Sequence, residues 1–343
     1  MHLPHRGLIT RGERVEVTDR LHKFLFEGLP VRGMLVQLQS TWRELLSRRA
    51  TASDGGHAFG PEVRSLLGEM SAAACLMHSN IKFDGALILQ VFGDGPVKLA
   101  VAEARTDLGY RATAKVVGDV PEGGQLAAML NLHGRGRCAI TLDPSDPRPG
   151  QQAYQGVVPL HGDRGEPLQQ LSQVLEHYML QSEQLDTRLV LAADDRCAAG
   201  LLIQRLPAQG DANLSGSGWK SGDEDGIGRS EDFKRIALLA GTLTAEELLA
   251  LPPEQILKRL FWQETLRVFP PLEPRFSCTC SRKRVAGMLR GLGRDEVDSL
   301  IAERGQAEVG CDFCGAQYRF DAVDVGEVFV PANEHPPGSQ VVN

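Results

Sequence analysis

Two closely spaced cysteine pairs, Cys278-Thr279-Cys280 and Cys311-Asp312-Phe313-Cys314, stand thirty residues apart and contain four of the seven cysteines. Each pair is short enough for both sulfurs to face one point. A tetrahedral zinc ion needs this arrangement, because Zn–S bonds of ~2.3 Å place neighbouring sulfurs about 3.8 Å apart. Cys-x-Cys is an unusual half-site, whereas Cys-x-x-Cys before Gly315 is typical, since glycine adopts a positive φ at little cost. We therefore predict one zinc ion per chain, bound by Cys278, Cys280, Cys311 and Cys314.

The same spacing is compatible with redox chemistry. Cys278 with Cys280, and Cys311 with Cys314, can form local disulfides if the backbone brings each pair of Cα atoms within ~4.4 to 6.8 Å. Zinc holds its cysteine ligands as thiolates, the form that reacts with oxidants, so such a site can be a structural clip and also a redox sensor. A purely structural zinc site fits the spacing at least as well, and both interpretations stay open on the residues alone.

Length and composition limit the class of protein. The chain has 343 residues, of which 42% are hydrophobic, which is enough for a full core and two or three domains. Because the sequence shows neither a signal-peptide core nor the ~18 consecutive apolar residues of a membrane span, we expect a cytoplasmic protein with no membrane partner. In that reducing compartment, paired cysteines are typically metal ligands or redox switches. The net charge of −7 argues against nucleic acid as the main partner.

Hydrophobic periodicity predicts an α+β domain over residues 18–207, preceded by a loose arm over residues 1–17. Cys75, Cys138 and Cys197 have no partner in sequence, and His177 stands alone on a helix, so we expect no catalytic site and no enzyme. The first predicted elements are a short helix over residues 18–26, a strand over 31–38, a helix opened by a capping box of Thr41 and Glu44, and a core helix that begins at Pro61. An antiparallel meander follows over residues 86–117. The remaining elements are strands over 138–142 and 153–160, a helix over 168–182, and strands over 188–192 and 198–206.

The composition changes beyond this domain. Residues 208–230 are rich in glycine, serine and aspartate, which predicts a flexible connector. Residues 231–275 carry two short amphipathic stripes, one around Ile236 and one around Leu260, with a capping box of Thr244 and Glu247 between them. This pattern predicts a helical linker that takes stability from a neighbour. These helices either cover apolar surface as a latch or simply pad the main domain. Residues 276–330 follow as the predicted zinc-binding domain, and residues 331–343 as a disordered tail.

Several short motifs occur in a characteristic order along the chain. Upstream stand Val31-Arg32-Gly33, Lys82-Phe83-Asp84-Gly85, Gly93-Asp94-Gly95-Pro96 and Tyr154-Gln155-Gly156-Val157-Val158. Downstream stand Cys278-Thr279-Cys280-Ser281-Arg282-Lys283-Arg284, Asp295-Glu296-Val297-Asp298-Ser299 and Cys311-Asp312-Phe313-Cys314-Gly315. Together they resemble the bacterial 33 kDa heat-shock protein family over roughly residues 18–330, and the second group resembles its zinc-switch domain.

Members of that family are redox-regulated holdase chaperones. The resemblance implies an α+β N-terminal domain with antiparallel strands, a helical linker and a small C-terminal zinc-binding domain. It implies that the reduced, zinc-bound protein is inactive. Oxidation would then form the disulfides Cys278–Cys280 and Cys311–Cys314, release zinc and partly unfold the chain, which would hold unfolding client proteins without ATP. It also implies a homodimer as the oxidised, active form.

Two other classes of protein use paired cysteines. A zinc-ribbon nucleic-acid-binding protein, the main alternative, concentrates positive charge near its metal, but residues 276–321 carry seven basic and seven acidic side chains. A thiol oxidoreductase places Cys-x-x-Cys at a helix start in a thioredoxin-like unit, whereas here the pair lies near the chain end among four candidate ligands. Both classes therefore rank below the zinc-switch chaperone.

Overall fold

The computed structural model describes residues 19–50, 59–147, 150, 152–206 and 230–330. The predicted arm over residues 1–17, nearly all of the predicted connector and the predicted tail lie outside these ranges. Within the described part, two large β-sheets enclose a central helix, and a smaller unit with its own core carries the paired cysteines. This is the expected α+β class. Among the described helices, none is long and apolar enough to span a bilayer.

A five-stranded antiparallel sheet has the order β10-β1-β2-β9-β8. The central strand β2 is buried almost throughout, as expected for a strand covered on both faces. The linker region contributes β10, which pairs with β1 at the sheet edge. The strands are β1 (Arg20–Phe26), β2 (Val31–Leu38), β8 (Thr187–Ala193), β9 (Ala198–Arg205) and β10 (Leu266–Val268).

A six-stranded sheet has the order β11-β5-β4-β3-β6-β7. Its predicted meander is confirmed, since β3, β4 and β5 pair antiparallel in chain order. The short strand β11, immediately before the first cysteine pair, adds in parallel to the edge strand β5. The strands are β3 (Gly85–Phe92), β4 (Val97–Arg105), β5 (Gly109–Val116), β6 (Arg137–Pro144), β7 (Tyr154–Pro159) and β11 (Arg275–Phe276).

The helix α2 (Pro61–Asn80) lies between the two sheets and contacts strands of both. Its alanine-rich middle is buried around the whole circumference, because small side chains let both sheets approach the helix closely. Pro61 occupies the first turn as predicted, where its missing N–H costs nothing. The other helices of this part are α1 (Ser40–Ala50), α3 (Leu126–Leu130) and α4 (Leu171–Glu183).

Three short linker helices cover the outer face of the five-stranded sheet: α5 (Glu231–Gly241), α6 (Ala245–Ala250) and α7 (Pro253–Leu260). The predicted capping box of Thr244 and Glu247 opens α6. The buried Gln37 side chain of β2 donates hydrogen bonds to the carbonyl oxygens of Leu248 and Leu251, at 2.8 and 2.9 Å. The sheet thus satisfies carbonyl groups at the end of α6 that have no partner within that helix.

The C-terminal unit contains α8 (Arg282–Leu292), α9 (Arg294–Arg304), the antiparallel hairpin of β12 (Ala307–Gly310) and β13 (Gln317–Phe320), and α10 (Ala322–Phe329). Its core has few buried apolar side chains: Val285, Leu289, Val297, Ala307, Phe320, Val325 and Val328. A core of this size is marginal without a covalent or metal staple.

Three local predictions were wrong. Residues 18–26 were expected to be helical, but residues 20–26 form strand β1 because pairing with β2 and β10 overrides the local pattern. The expected capping box of α1 does not form. Instead Asp19 accepts hydrogen bonds from the backbone N–H groups of Ser40 and Thr41 at 3.0 and 2.9 Å, while the Thr41 hydroxyl meets Tyr110. Residues 231–275 are also less helical than expected, since they end in strands β10 and β11.

Candidate metal centre

Two separate chain segments bring the paired cysteines together. Cys278 and Cys280 lie between β11 and α8, while Cys311 and Cys314 lie in the turn that joins β12 to β13. This turn closes through hydrogen bonds from the Gly315 N–H to the Cys311 carbonyl oxygen at 2.8 Å and from the Cys311 N–H to the Ala316 carbonyl oxygen at 2.9 Å. Gly315 has a φ of +71°, as expected from the sequence, so glycine relieves a strain that other residues would carry there.

The four Sγ atoms all lie within 4.8 Å of one another. The Cys278 and Cys311 sulfurs are 3.6 Å apart, and the Cys280 and Cys314 sulfurs are 3.3 Å apart. These separations are close to the roughly 3.8 Å expected between sulfurs around a tetrahedral zinc ion. Cys314 is buried and the other three are half-buried, so the cluster is shielded from water yet reachable by small molecules. The donor set therefore fits a structural zinc site.

The thiols strongly perturb one another. Hydrogen bonding from Cys311 lowers the pKa of Cys278 to about 4, and the same contact raises the pKa of Cys311. Burial raises the pKa of Cys314 to about 11. The Cys278 thiolate therefore forms easily, while burial and the neighbouring thiolate oppose ionisation of Cys311 and Cys314. Four adjacent thiolates need a divalent cation among them, which is the chemistry that zinc supplies.

Three side chains outside the cysteine set line the cluster. The Tyr318 hydroxyl donates to the Cys280 sulfur at 3.2 Å, and this contact is the main reason why the tyrosine pKa is raised. Arg111 of β5 reaches the Cys278 sulfur at 3.9 Å, and its guanidinium stacks 4.1 Å from the Phe313 ring centroid. A cation and a hydroxyl donor thus offset part of the negative charge that a zinc-thiolate centre would carry.

The remaining cysteines are remote from this cluster and chemically unlike it. Cys75, Cys138 and Cys197 are all buried in the N-terminal part of the chain. Burial raises the pKa of Cys138 and of Cys197 to about 12, and it raises that of Cys75 further. Deeply buried neutral thiols are poor metal ligands and poor nucleophiles. His177 faces Asp163, with 3.9 Å between the imidazole and the carboxylate, and no nucleophile joins this pair among the described contacts.

Sequence reasoning missed Arg111, which lies 167 residues before Cys278. No spacing rule connects positions so far apart, and the alternation of β5 shows only that Arg111 does not face the buried side of its sheet. Phe313 stands inside a motif noted above, but its contacts and those of Tyr318 depend on the geometry of the hairpin turn.

Comparison with known proteins now decides the family. The model of the family described as Hsp33 protein matches residues 19–321. The chain belongs to the Hsp33 family. Among relatives of Hsp33 type, the 33 kDa chaperonin of Chromobacterium violaceum is 44% identical over 311 residues, covering 91% of this chain and 94% of the relative. The 33 kDa chaperonin of Methylobacillus flagellatus is 41% identical over 316 residues, covering 92% of this chain and 96% of the relative.

A solved structure agrees with the Hsp33 fold. The crystal structure of the 33 kDa chaperonin of Thermotoga maritima superposes with a TM-score of 0.67, covering 90% of this chain and 97% of the other, at 18% sequence identity. This likeness concerns the fold alone. Membership of the Hsp33 family supports a chaperone role for the chain. The four-cysteine cluster fits the metal-binding and redox-active cysteines expected from the sequence.

Proposed function

We propose that the chain is a redox-regulated, ATP-independent holdase, inactive when its cysteines bind zinc and active after they are oxidised. The observation that carries this proposal is the four-sulfur cluster at the base of a small unit with a minimal apolar core. Bound zinc would supply an apparent ~10 to 16 kcal/mol of folding free energy to such a unit. A unit that depends on bound zinc to this extent unfolds when its cysteines can no longer hold the metal.

Oxidation of the cysteines is the proposed trigger. The thiolates of Cys278 and Cys280 lose two electrons to one molecule of hydrogen peroxide, which takes up two protons and leaves as two waters, and an S–S bond forms. Cys311 and Cys314 react with a second peroxide in the same way. After one pair has reacted, two sulfurs are left, too few to retain the metal. Local pairing is favoured over cross-pairing because an unfolded loop of thirty residues must otherwise close at an entropic cost.

The linker helices are the proposed latch. Buried side chains of these helices and of the residues next to them share one apolar cluster with the outer face of the five-stranded sheet: Phe233, Ile236, Ala240, Leu243, Leu248, Ile256, Leu257, Leu260 and Phe261. The linker chain continues through β10 and β11 directly into Cys278. Unfolding of the C-terminal unit removes the support at that end, and the sheet face with Phe24, Phe26 and Leu35 then becomes available to unfolding client proteins.

This function implies further properties. Because cysteine pairs of this kind persist as thiols only in a reducing compartment, we place the protein in the cytoplasm. We expect a homodimer in the oxidised form, since exposed apolar surface favours self-association as well as client binding. We expect neither nucleic acid nor membrane among its partners, and we place the domain boundaries as stated in the sequence analysis.

The test follows metal, thiols and activity in one sample. The reduced protein should contain one zinc per chain and should not suppress aggregation of a thermally unfolding client. After hydrogen peroxide at raised temperature, it should lose zinc and four thiols and should suppress aggregation. Peptide mapping should find the pairs 278–280 and 311–314. Dominant cross-pairs, which the sulfur separations of 3.6 and 3.3 Å in the cluster also permit, would contradict the local mechanism. Activity that is independent of oxidation would contradict the proposal as a whole.

A further inference from the structure

The cysteine centre is docked on the edge of the six-stranded sheet. The N–H of Ser277 donates to the Tyr110 carbonyl oxygen at 2.9 Å, and the N–H of Arg275 donates to the Leu108 carbonyl oxygen at 3.1 Å. Gly109 permits this approach, since a Cβ at that position would lie 2.9 Å from the Ser277 Cβ. The backbone that enters the first cysteine pair is therefore held as an added strand.

Arg111 stands at the centre of this contact, paired with Glu103 on the neighbouring strand. The two residues are direct cross-strand partners in the β4–β5 ladder. The guanidinium reaches one carboxylate oxygen of Glu103 through Nε at 3.0 Å and through Nη2 at 2.5 Å. Only 16% of the Arg111 side chain and 10% of the Glu103 side chain are exposed. A pair this well buried holds the guanidinium in one orientation.

The same guanidinium contacts both cysteine motifs at once. Its Nη1 points to the sulfur of Cys278 at 3.9 Å, and its central carbon lies 4.1 Å from the ring centroid of Phe313, which stands between Cys311 and Cys314 in the sequence. A metal-bound thiolate is an anionic acceptor and an aromatic face attracts a cation, so both contacts are favourable while the cysteines hold zinc. A disulfide sulfur carries no charge, and unfolding of the turn removes the ring.

We propose that Arg111 is a positioning residue that anchors the metal centre to the sheet edge and thereby links zinc retention to docking of the C-terminal unit. The inference deepens the function proposed above and rests on it for the identity of the metal. Coupling of this kind is reciprocal: if zinc binding favours docking, docking must favour zinc retention by the same factor. A simple cross-strand ion pair of β4 and β5 would have no such effect.

Two variants of the full-length, reduced, zinc-loaded protein test the contact, one altered in the sheet and one altered in the C-terminal unit. The double variant Arg111→Met/Glu103→Gln removes both charges, so that no buried carboxylate is left unpaired. Phe313→Leu removes the aromatic face without altering the sheet. Lys115→Met is the matched control, because Lys115 is an exposed cation on the same strand and the same face as Arg111. The measurements are amide hydrogen exchange at Arg275 and Ser277 and the rate of zinc transfer to a chromogenic chelator.

Both test variants should still bind one zinc per chain. Their Arg275 and Ser277 amides should exchange roughly tenfold faster than in the unaltered protein, and zinc should transfer faster by a similar factor, since one desolvated cation contact is lost. Arg111→Lys should give exchange and transfer rates between those of the double variant and those of the unaltered protein. An ammonium group carries the charge but cannot both stack on Phe313 and bridge Glu103 and Cys278. Lys115→Met should leave both rates unchanged.

Unaltered exchange and transfer rates in both variants would refute the role of Arg111 as an anchor. Faster rates in the double variant alone would also refute it, because the cause would then lie in the sheet and not in the contact with Phe313. If the double variant does not fold, Phe313→Leu decides alone, because its side chain belongs to the C-terminal unit. Suppression of client aggregation after peroxide is measured in parallel on the unaltered protein. Failure there refutes the proposed function, whereas the exchange and transfer rates still decide the anchor.

Discussion

The substitution Ile236→Asp distinguishes a linker that covers the client-binding surface from a linker that only packs on the main domain. Ile236 is completely buried in α5 against the five-stranded sheet. Truncating such a side chain costs about 2–5 kcal/mol, and a carboxylate adds the cost of desolvating a charge unless the segment opens. An equilibrium constant changes tenfold for each 1.4 kcal/mol. The loss of packing alone therefore raises the ratio of open to closed linker by roughly 30-fold to several-thousand-fold. Helices of 11, 6 and 8 residues have little stability of their own.

The assay is aggregation of a thermally unfolding client in the presence of reduced, zinc-loaded protein. Ile236→Asp should suppress aggregation without oxidant, should show fast hydrogen exchange over residues 231–261, and should keep its zinc. Leu238→Asp is the control, because Leu238 lies on the same helix with 74% of its surface exposed, and it should behave like the unaltered protein. If exchange shows the linker open in Ile236→Asp while client aggregation proceeds unchanged, the latch is refuted and the C-terminal unit itself must mask the client surface.

Three further predictions concern other parts of the molecule. Replacing Cys75, Cys138 and Cys197 together by alanine should leave zinc at one per chain by metal analysis, because these thiols are buried away from the cluster; loss of metal would show that the ligands are wrongly assigned. Gln37→Glu replaces an amide that donates to two linker carbonyl oxygens, so it should open the linker by roughly 1–3 kcal/mol in hydrogen exchange, and unchanged exchange would refute that contact. Burial raises the Glu69 pKa from 4.5 to about 7, so folding stability should fall as pH rises through this window. Glu69→Gln should be more stable than the unaltered protein at pH 8, by at most about 3 kcal/mol in denaturant titrations, and equal to it near pH 4; a constant difference would exclude Glu69 as the cause.

Local patterns predicted much of the secondary structure. The meander of β3 to β5, the helix that starts at Pro61 and the capping box at Thr244 all follow from hydrophobic alternation and residue preferences within a few positions. The region of residues 20–26 was misread because its apolar spacing suits a helix locally, and only pairing with β2 and β10 makes it a strand. The cap of α1 was misassigned for a similar reason, since Asp19 lies more than a whole strand away in sequence.

The sequence by itself predicted the four-cysteine set, because the short spacing lets both sulfurs of each pair face one point. The small apolar core around this set, which makes a staple necessary, became visible only in the structure. Tertiary structure alone decided what surrounds the set. It placed Arg111 against Cys278 and Phe313, and it directed Gln37 to the linker carbonyl groups. These contacts join positions more than 150 residues apart, so they depend on how two sheets and a central helix pack, which no local pattern encodes.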